Sequence, residues 1–391
     1  MSVAALQVAE WLIRPETQAI FAALDGAKRR TRAVGGVVRD TILERQRDNP
    51  DIDLATELLP DEVIERAKAA GIAWYPTGID HGTVTLKLGT TLAEVTTLRR
   101  DVETDGRHAV VALGTDWRED ASRRDFTLNA LYCAADGTLF DPLAGLGDTL
   151  AGHIRFIGDA AERITEDGLR VYRFFRFSAS HGGEQFDAAG LAACADAVDR
   201  LAHLSRERVG SEIMRLLSLP KVAVTLAKMA EIDLLAISDS ALKALGAYEA
   251  LGGRSAAARL ALIAGDGFDA AQETWRLSND AVGVAREISR AASLIADDKI
   301  GEAAYRHGEA AVDGLAVVAS RDGWGIARLA EAARVLGATV VPDFPVSGHD
   351  LAGLGMTPGP ALGQELTRLE RAWIESGFAL GKGELLALVA R

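Results

Sequence analysis

The feature that most constrains the fold of this chain is a change in residue pattern near Gly158. Before that point, short β-rich runs alternate with helical patterns. After it, Ala, Leu, Arg and Glu predominate, with helix-length apolar periodicity and short breaks. The pattern therefore predicts an α+β head, built on a mixed sheet with helices, followed by a long all-helical arm.

Turn residues and apolar periodicity indicate individual elements of the head. They predict short strands over 31–34, 51–55, 139–140 and 154–156, and a hairpin of 83–88 with 92–98 around Gly89-Thr90. They predict helices over 37–46, from Pro60 onward, and, as one long helix, over 159–180.

Composition excludes several classes of protein. The 391 residues are 48% hydrophobic and 25% charged, which is ordinary globular composition and suggests two or three domains of about 150 residues each. There is no apolar run of 18 residues, and the first residues predict no secretion signal. The net charge of −13 argues against coating nucleic acid through bulk charge. Two cysteines far apart, Cys133 and Cys194, favour a reducing cytoplasm over a disulfide or zinc framework.

Acidic residues on predicted strands are the first candidates for chemistry. Asp51 and Asp53 are alternate residues of a strand, so they point to the same face, and Mg²⁺ neutralises such a pair while also binding substrate phosphates. Glu94, on a later strand, is a candidate third carboxylate. The alternatives are a turn or helix cap at the aspartates and an exposed strand glutamate.

Gly35-Gly36 lies between a predicted strand and a predicted helix, with Arg39 one turn into that helix. Glycines permit close approach of a phosphate, and helix N-termini attract anions. A plain strand-to-helix turn is the alternative interpretation. The sequence contains neither a Walker-type loop nor a GxGxxG fingerprint, which disfavours the ATPase and dinucleotide-binding classes that carry them.

Two further segments combine basic residues with aromatic ones. In SRRDFTLNAL, residues 122–131, arginines suit triphosphate oxygens, and Asp or Asn suits ribose hydroxyls. In EDGLRVYRFFRF, residues 166–177, Asp167, Arg170, Arg173 and Arg176 recur at every third position of the predicted helix. A capped helix start and an ion-paired amphipathic helix are the respective alternatives.

The order and spacing of these segments carry more information than each one alone. The sequence resembles class II tRNA nucleotidyltransferases, the CCA-adding enzymes related to bacterial poly(A) polymerases. Residues 31–217 carry the strong part of this resemblance. Its motifs are GGVVRD (35–40), DIDLAT (51–56), EVTTLR (94–99), RRDFTLNAL (123–131), DPLAGLGDTLAG (141–152), EDGLRVYRFFRF (166–177) and SRERVGSEIMRLL (205–217), with SGHDLAGLGMTPGPALG (347–363) resembling the family's tail.

The resemblance implies three domains: a nucleotidyltransferase head over 1–155, a helical neck that recognises the base over 156–220, and a helical body and tail that bind tRNA over 221–391. It also implies a role for each candidate residue. The three acids would bind two Mg²⁺ ions, with Asp51 and Asp53 as ligands and Glu94 assisting. The nucleotide-binding residues would be Gly35, Gly36 and Arg39 at the triphosphate, Arg124, Asp125 and Asn129 at ribose and phosphate, and Asp167 and Arg170 at the base, with Arg173 and Arg176 nearby.

The implied activity is addition of C, C and A to the 3′ end of tRNA from CTP and ATP, without a template. Residues 100–109 resemble the flexible loop of enzymes that complete all three additions, which favours the use of ATP as well as CTP. A poly(A) polymerase, a partial A-adding or CC-adding enzyme, a small-molecule nucleotidyltransferase and an inactive RNA-binding module are the competing interpretations. No membrane and no obligate protein partner are implied.

Overall fold

The chain divides into two compact units in the computed structural model, which describes residues 1–46, 48–104 and 109–389. One unit comprises Met1–Glu212 with Lys228–Leu235, and the other comprises Ile213–Ala227 with Ala236–Arg391. All strands of the described residues precede residue 141, and the rest is mostly helical. The expected α+β head with a helical continuation is therefore confirmed, whereas the division into three domains stays a prediction.

The head contains a mixed seven-stranded sheet in the order β3-β4-β5-β2-β1-β8-β9. Its β2 and β5 strands are parallel, and the other neighbours are antiparallel. Strands β6 and β7 form a separate antiparallel pair. The strands are β1 Thr31–Val34, β2 Ile52–Thr56, β3 Ala73–Gly78, β4 Thr83–Leu88, β5 Thr91–Thr97, β6 Arg99–Thr104, β7 Ala109–Leu113, β8 Tyr132–Cys133 and β9 Leu139–Phe140.

Helices surround the sheet and form the rest of the chain. Up to residue 197 they are α1 Glu10–Ile13, α2 Pro15–Ala23, α3 Gly36–Ile42, α4 Pro60–Ala69, α5 Trp117–Ser122, α6 Leu146–Ala151, α7 Ala160–Glu166, α8 Leu169–Ser180 and α9 Ala188–Ala197. The remainder are α10 Arg206–Leu217, α11 Ala223–Glu231, α12 Asp239–Ala250, α13 Ala256–Ala264, α14 Phe268–Trp275, α15 Asn279–Ala296, α16 Ile300–His307, α17 Ala310–Arg321, α18 Ile326–Ala338, α19 Gly348–Gly353, α20 Pro360–Glu375 and α21 Lys382–Ala387.

Alternation along the strands supplies two apolar cores. On one face, Ile52, Leu54 and Val84 pack in a cluster that includes Trp11 and Ile20 of the first helices. On the other face, a second buried cluster is formed by Val34, Ala55, Leu98, Trp117 and Tyr132. Asp53 interrupts the buried pattern of β2 because it opens onto solvent.

The prediction of one long helix over 159–180 is wrong. The chain forms α7 and α8 instead, and Asp167 between them has extended backbone angles, φ −148° and ψ 101°. The Asp167 carboxylate accepts a hydrogen bond from the Leu169 amide at 3.1 Å, which satisfies a donor at the start of α8. A helical sequence period continues across such a break, so periodicity alone did not reveal it.

Two smaller predictions also need correction. The helix after Gly35 ends at Ile42 rather than at residue 46. Residues 154–156 make only an isolated bridge, between Phe126 and Phe156. The loop expected at 100–109 stays a prediction, because its two ends pair within β6 and β7 and residues 105–108 lie outside the described residues.

The second unit packs helix against helix. Gly314 of α17 lets that helix approach α15 closely, because a Cβ atom at Gly314 would lie 2.8 Å from the Ala291 side chain. A separate apolar cluster near the end of the chain has Leu351, Leu369, Trp373 and Leu385 at its centre.

A second close approach supports the segment Thr127–Asn129 of the head, a short 3₁₀ helix. Gly145, just before α6, lies so near that a Cβ atom there would overlap the backbone oxygen of Thr127. The Thr127 hydroxyl also donates to Asp148 of α6 at 2.7 Å. Helix α6 is therefore packed against the short segment that carries Asn129.

We expect Gly145→Ala to lower the free energy of unfolding by about 1–3 kcal/mol, because the backbone of Thr127 has to move. Gly147→Ala, within α6 and with open space around it, is the matched control and is expected to be neutral or stabilising by up to about 1 kcal/mol. The midpoints of urea unfolding compare the two variants. Equal midpoints would contradict the proposed close packing.

Candidate active site

A cleft of about 400 Å³ opens in the first unit. It is lined by Gly35, Gly36, Arg39, Asp53, Arg123, Arg124, Asp125, Asn129, Asp167, Arg170, Arg173 and Phe177. All but three of the residues singled out in the sequence line this cleft, the exceptions being Asp51, Glu94 and Arg176. Residues from distant parts of the chain therefore meet at one place, although the role of each one stays a prediction.

Strands β2 and β5 place two carboxylates next to each other. The parallel register pairs Asp53 with Glu94, and both residues are on the solvent-facing side of their strands. Although Asp53 opens into the cleft, the surrounding walls displace much of the water around its carboxyl. This desolvation and then the charges of Glu94 and Asp51 raise the pKa of the Asp53 carboxyl to about 6, with Arg124 opposing the shift. The ionised form of Asp53 would therefore gain from a bound cation.

The acidic residues fit a metal ion that shares its ligands with a substrate. Asp51 lies directly before β2 and is exposed. Among the described residues, no group of three or more His, Cys, Asp and Glu side chains is arranged to hold a metal ion. Mg²⁺ commonly binds one or two carboxylates together with water and substrate phosphates. The carboxylate oxygens of Asp51 and Asp53 fit that mode of binding. They do not require a site in which three carboxylates already surround the ion.

The turn from β1 to α3 forms another wall of the cleft. Gly35 has φ +72°, a conformation that side chains rarely adopt, and a Cβ atom there would lie 3.8 Å from Nη1 of Arg124. Arg39 is only 6% exposed. Its Nη1 donates to Asn129 Oδ1 at 2.6 Å and its Nε donates to Asp40 at 2.7 Å.

A buried network connects this wall to α8. Asp125 Oδ1 accepts from the Asn129 side chain at 2.9 Å, and Asp125 Oδ2 accepts from Nε of Arg173 at 2.7 Å. Burial opposes the charge of Asp125, but Arg173 and the hydrogen bonds outweigh it and hold the carboxyl pKa below its usual value. Arg39, Asn129, Asp125 and Arg173 thus form one continuous chain of hydrogen bonds across the cleft.

The break between α7 and α8 positions Asp167 and Arg170. Arg170 Nη1 donates to Glu166 at 2.6 Å, and its Nη2 donates to the backbone oxygen of Arg123 at 2.9 Å. Asp167 Oδ2 accepts from Arg208 of α10 at 2.9 Å. Both predicted base-reading side chains therefore lie at the cleft, each oriented by a partner on another segment or turn.

Arg176 has a different environment from the other predicted arginines. Its Nε donates to Glu212 of α10 at 2.5 Å, and Glu212 is buried. The structure therefore places Arg176 in an ion pair between helices rather than in the cleft lining.

Sequence reasoning did not single out three residues of this region. Arg123 and Phe177 line the cleft, and Arg208 holds Asp167. Two features of the sequence could have pointed to these arginines: Arg123 is adjacent to Arg124 in RRDFT, and Arg208 lies in the motif at 205–217. Phe177 ends the motif EDGLRVYRFFRF, where the sequence predicts only a packing role for it. Its ring lies 5.2 Å from the Arg39 guanidinium and 4.4 Å from that of Arg176.

Comparison with known proteins assigns the chain to a family. A protein-family model described as "Poly A polymerase head domain" matches residues 31–155. A second family model, described as "Probable RNA and SrmB- binding site of polymerase A", matches residues 185–238. The class defined by this head and its carboxylate-lined cleft is that of nucleotidyltransferases.

Relatives similar over nearly the full length narrow that class. The human "CCA tRNA nucleotidyltransferase 1, mitochondrial" is 30% identical over 96% of this chain and 92% of its own length. The "CCA-adding enzyme" of Limosilactobacillus fermentum is 33% identical over 88% of this chain and 89% of its own length. The chain belongs to the family of CCA tRNA nucleotidyltransferases, as its motifs predicted, and a poly(A) polymerase is not favoured.

Solved structures agree with this assignment. The Bacillus stearothermophilus CCA-adding enzyme in complex with CTP has a TM-score of 0.74 and 28% identity, covering 93% of this chain and 94% of the other. The Thermotoga maritima CCA-adding enzyme complexed with tRNA_CCA has a TM-score of 0.67 at 18% identity, covering 99% and 97%, and shows a shared fold. No helix among the described residues has both the length and the apolar character needed to cross a bilayer.

The raised pKa of Asp53 predicts a stability change in the metal-free protein. Between about pH 4 and pH 6 the folded state keeps a proton that the unfolded state has released. Stability therefore falls as pH rises through this window. We expect Asp53→Asn, which cannot ionise, to be more stable than the wild type at pH 8 by about 1 kcal/mol after allowance for solvent screening.

Urea unfolding in EDTA at pH 4 and pH 8 measures this effect. The difference between variant and wild type should be much smaller at pH 4, which makes the acidic sample an internal control. A variant that is less stable at pH 8 would contradict the crowding of carboxylates around Asp53.

Proposed function

We propose that this chain adds C, C and A in turn to the 3′ end of tRNA from CTP and ATP, without a nucleic-acid template and with release of pyrophosphate. One observation carries the proposal: a single cleft brings Asp53 together with Asp167 and Arg170. The same cleft contains arginines whose guanidinium groups suit phosphate oxygens, Arg39 and Arg124 among them. Family membership supports it over an inactive RNA-binding module, because the acidic residues of the reaction are all present.

Asp51 and Asp53 would hold two Mg²⁺ ions, with Glu94 next to Asp53 assisting. Bound Mg²⁺ lowers the pKa of an attacking hydroxyl and neutralises charge on the leaving phosphates. The protein then has to orient the substrates and stabilise charge, since phosphoryl-type transfer requires little covalent work from side chains.

The triphosphate would lie along the wall made by Gly35, Gly36, Arg39 and Arg124. Without a Cβ atom, Gly35 leaves the backbone open to a phosphate group. The guanidinium groups offer several donors in a planar geometry that suits phosphate oxygens. The hydrogen bond from Arg39 to Asn129 orients one of them before the nucleotide arrives.

Base selection would follow from the pair Asp167 and Arg170. Cytosine and adenine each present an amino donor next to a ring-nitrogen acceptor, so a carboxylate and a guanidinium match both. Uracil and guanine reverse the arrangement, and each buried group left unpaired costs about 1–3 kcal/mol. The bonds of Arg170 to Glu166 and to the Arg123 backbone leave it little freedom to adjust to the wrong base.

The site of action would be a reducing compartment such as the cytoplasm. Cys133 and Cys194 are both buried and unpaired. Burial raises the pKa of the Cys133 thiol to about 12, so it stays protonated and inert at neutral pH. The helical remainder would contact tRNA through backbone and shape.

A direct experiment tests the activity. The purified chain is incubated with tRNA lacking its 3′ CCA, with Mg²⁺ and with each nucleoside triphosphate separately and together, and the products are sequenced. Ordered addition of C, C and A supports the proposal. Long A tracts would indicate a poly(A) polymerase, addition stopping at CC or requiring a CC end would indicate a partial enzyme, and no addition would refute the proposal.

Removing a metal-binding carboxylate should separate catalysis from tRNA binding. We expect Asp53→Ala or Asp51→Ala to abolish addition, and EDTA to do the same to the wild type, because charge on the phosphates is then not neutralised. Binding of tRNA in a gel-shift assay should remain within about threefold of the wild type, since the contacts to the RNA backbone are proposed for the helical remainder of the chain.

The matched control is Asp61→Ala, which removes an exposed carboxylate on α4 outside the cleft and should leave addition intact. Retained addition in either Asp51→Ala or Asp53→Ala would refute the assignment of metal ligands.

Arg170→Ala should relax the choice of base. We expect the preference for CTP over UTP, measured as the ratio of kcat/KM values, to fall about tenfold or more, because the unpaired donor no longer penalises uracil. Arg66→Ala on α4, which breaks an ion pair with Asp25 outside the cleft, serves as the control. Unchanged ratios in an active Arg170→Ala enzyme would contradict base reading by this side chain.

A further inference from the structure

Arg124 is held from behind by two residues that do not line the cleft. Its Nε donates to the hydroxyl of Tyr132 at 3.3 Å, and its Nη2 lies 3.4 Å from Asp120 Oδ2. The Tyr132 hydroxyl in turn donates to the same Asp120 oxygen at 2.9 Å. The three side chains form a closed triangle in which the phenol both accepts from Arg124 and donates to Asp120.

The third nitrogen of this guanidinium faces the cleft. Nη1 of Arg124 lies 3.8 Å from the position of a Cβ atom at Gly35, in the wall that would contact phosphate. The triangle therefore orients one edge of the guanidinium toward the protein and leaves the other toward the nucleotide.

The back of the triangle is rigid. The Tyr132 ring is fully buried and meets the Trp117 ring edge to face, with centroids 5.5 Å apart. Phe140 packs against both rings. Asp120 is also buried and receives the backbone N–H of Arg99 at 3.4 Å. An aromatic ring locked on its faces can place its hydroxyl in only one position.

These hydrogen bonds from Arg124 to Tyr132 and Asp120 oppose an electrostatic attraction within the cleft. Arg124 and Asp53 line the same cleft, where the charge of Arg124 acts to lower the pKa of that carboxyl, and Glu94 pairs with Asp53 on the neighbouring strand. In a cleft without bound cations, attraction would draw a mobile guanidinium onto the carboxylates that the metal ions need. Two oxygen partners on the far side, one of them charged, counter that attraction.

We propose that Tyr132 and Asp120 are positioning residues for nucleotide binding: they hold Arg124 back from Asp53 and aim it at the phosphates of the incoming nucleoside triphosphate. The inference rests on the proposed function for the identity of the ligand. It assigns no contact between either residue and the substrate, and both act through Arg124.

Tyr132→Phe tests the triangle because it removes one oxygen and keeps the ring packing. We expect the Kd for CTP with Mg²⁺, measured by calorimetry, and the KM for CTP to rise about tenfold, with a smaller change in kcat, since a hydrogen bond to a charged group is lost. Tyr248→Phe is the matched control, because Tyr248 is equally buried and its hydroxyl accepts from the Ser255 amide outside the cleft.

A double-mutant cycle distinguishes positioning from general destabilisation. If Tyr132 acts through Arg124, then Tyr132→Phe should not weaken CTP binding further in an Arg124→Ala background. Independent losses that multiply in the double variant would overturn the proposal, as would unchanged CTP affinity in Tyr132→Phe. Asp120→Asn, which keeps the shape but removes the charge, provides a second variant and should also raise the Kd for CTP.

The readouts keep this inference separate from the proposed function. A wild type that binds CTP but adds nothing to tRNA would refute the activity and leave the triangle open to the calorimetric test. A wild type that adds C, C and A while Tyr132→Phe matches it in Kd and KM would refute the triangle alone.

Discussion

The rest of the candidate active site depends on the pairing of two like charges on parallel strands. The register of β2 with β5 sets Asp53 against Glu94, at the one place where β2 turns an acidic side chain to solvent within an otherwise buried strand. Such an arrangement is unfavourable unless a cation offsets it. Arginines in the surrounding cleft walls supply positive charge. Other hydrogen-bond acceptors hold their guanidinium groups, which keeps them away from Asp53 and Glu94.

Two of those acceptors connect the wall proposed to bind phosphate with α8, the helix that carries the proposed base-reading Arg170. Asp125 accepts from Arg173 of α8 on one oxygen and from Asn129 of the head on the other, and Asn129 accepts from Arg39. Breaking a buried charged pair leaves an uncompensated charge, so these contacts couple the placement of α8 to that of α3. The network is preorganised, which is the main contribution a protein can make when bound metal ions supply the charge stabilisation.

Much of the head was predictable because local patterns and tertiary structure agree there. Strand β1 and the hairpin of β4 and β5 follow directly from alternation and turn residues, and α4 begins at its proline. The long helix over 159–180 was predicted wrongly because the apolar period continues through Asp167 and Gly168. What ends α7 there is a hydrogen bond from the Leu169 amide to the Asp167 carboxylate, together with the ion pair to Arg208, and the second of these depends on a residue 41 positions away.

By itself, the sequence determined the chemistry of the site: which carboxylates, arginines and glycines are available, and in an order that identifies the family. Only the tertiary structure decided how each is used. It placed Arg176 against Glu212 instead of in the cleft, brought Phe177 beneath three guanidinium groups, and closed a triangle of Arg124, Tyr132 and Asp120. The physical reason is that residue types and their order are local properties of the chain. The partner of a buried charge is decided by which segments pack together, and that packing is a property of the whole fold.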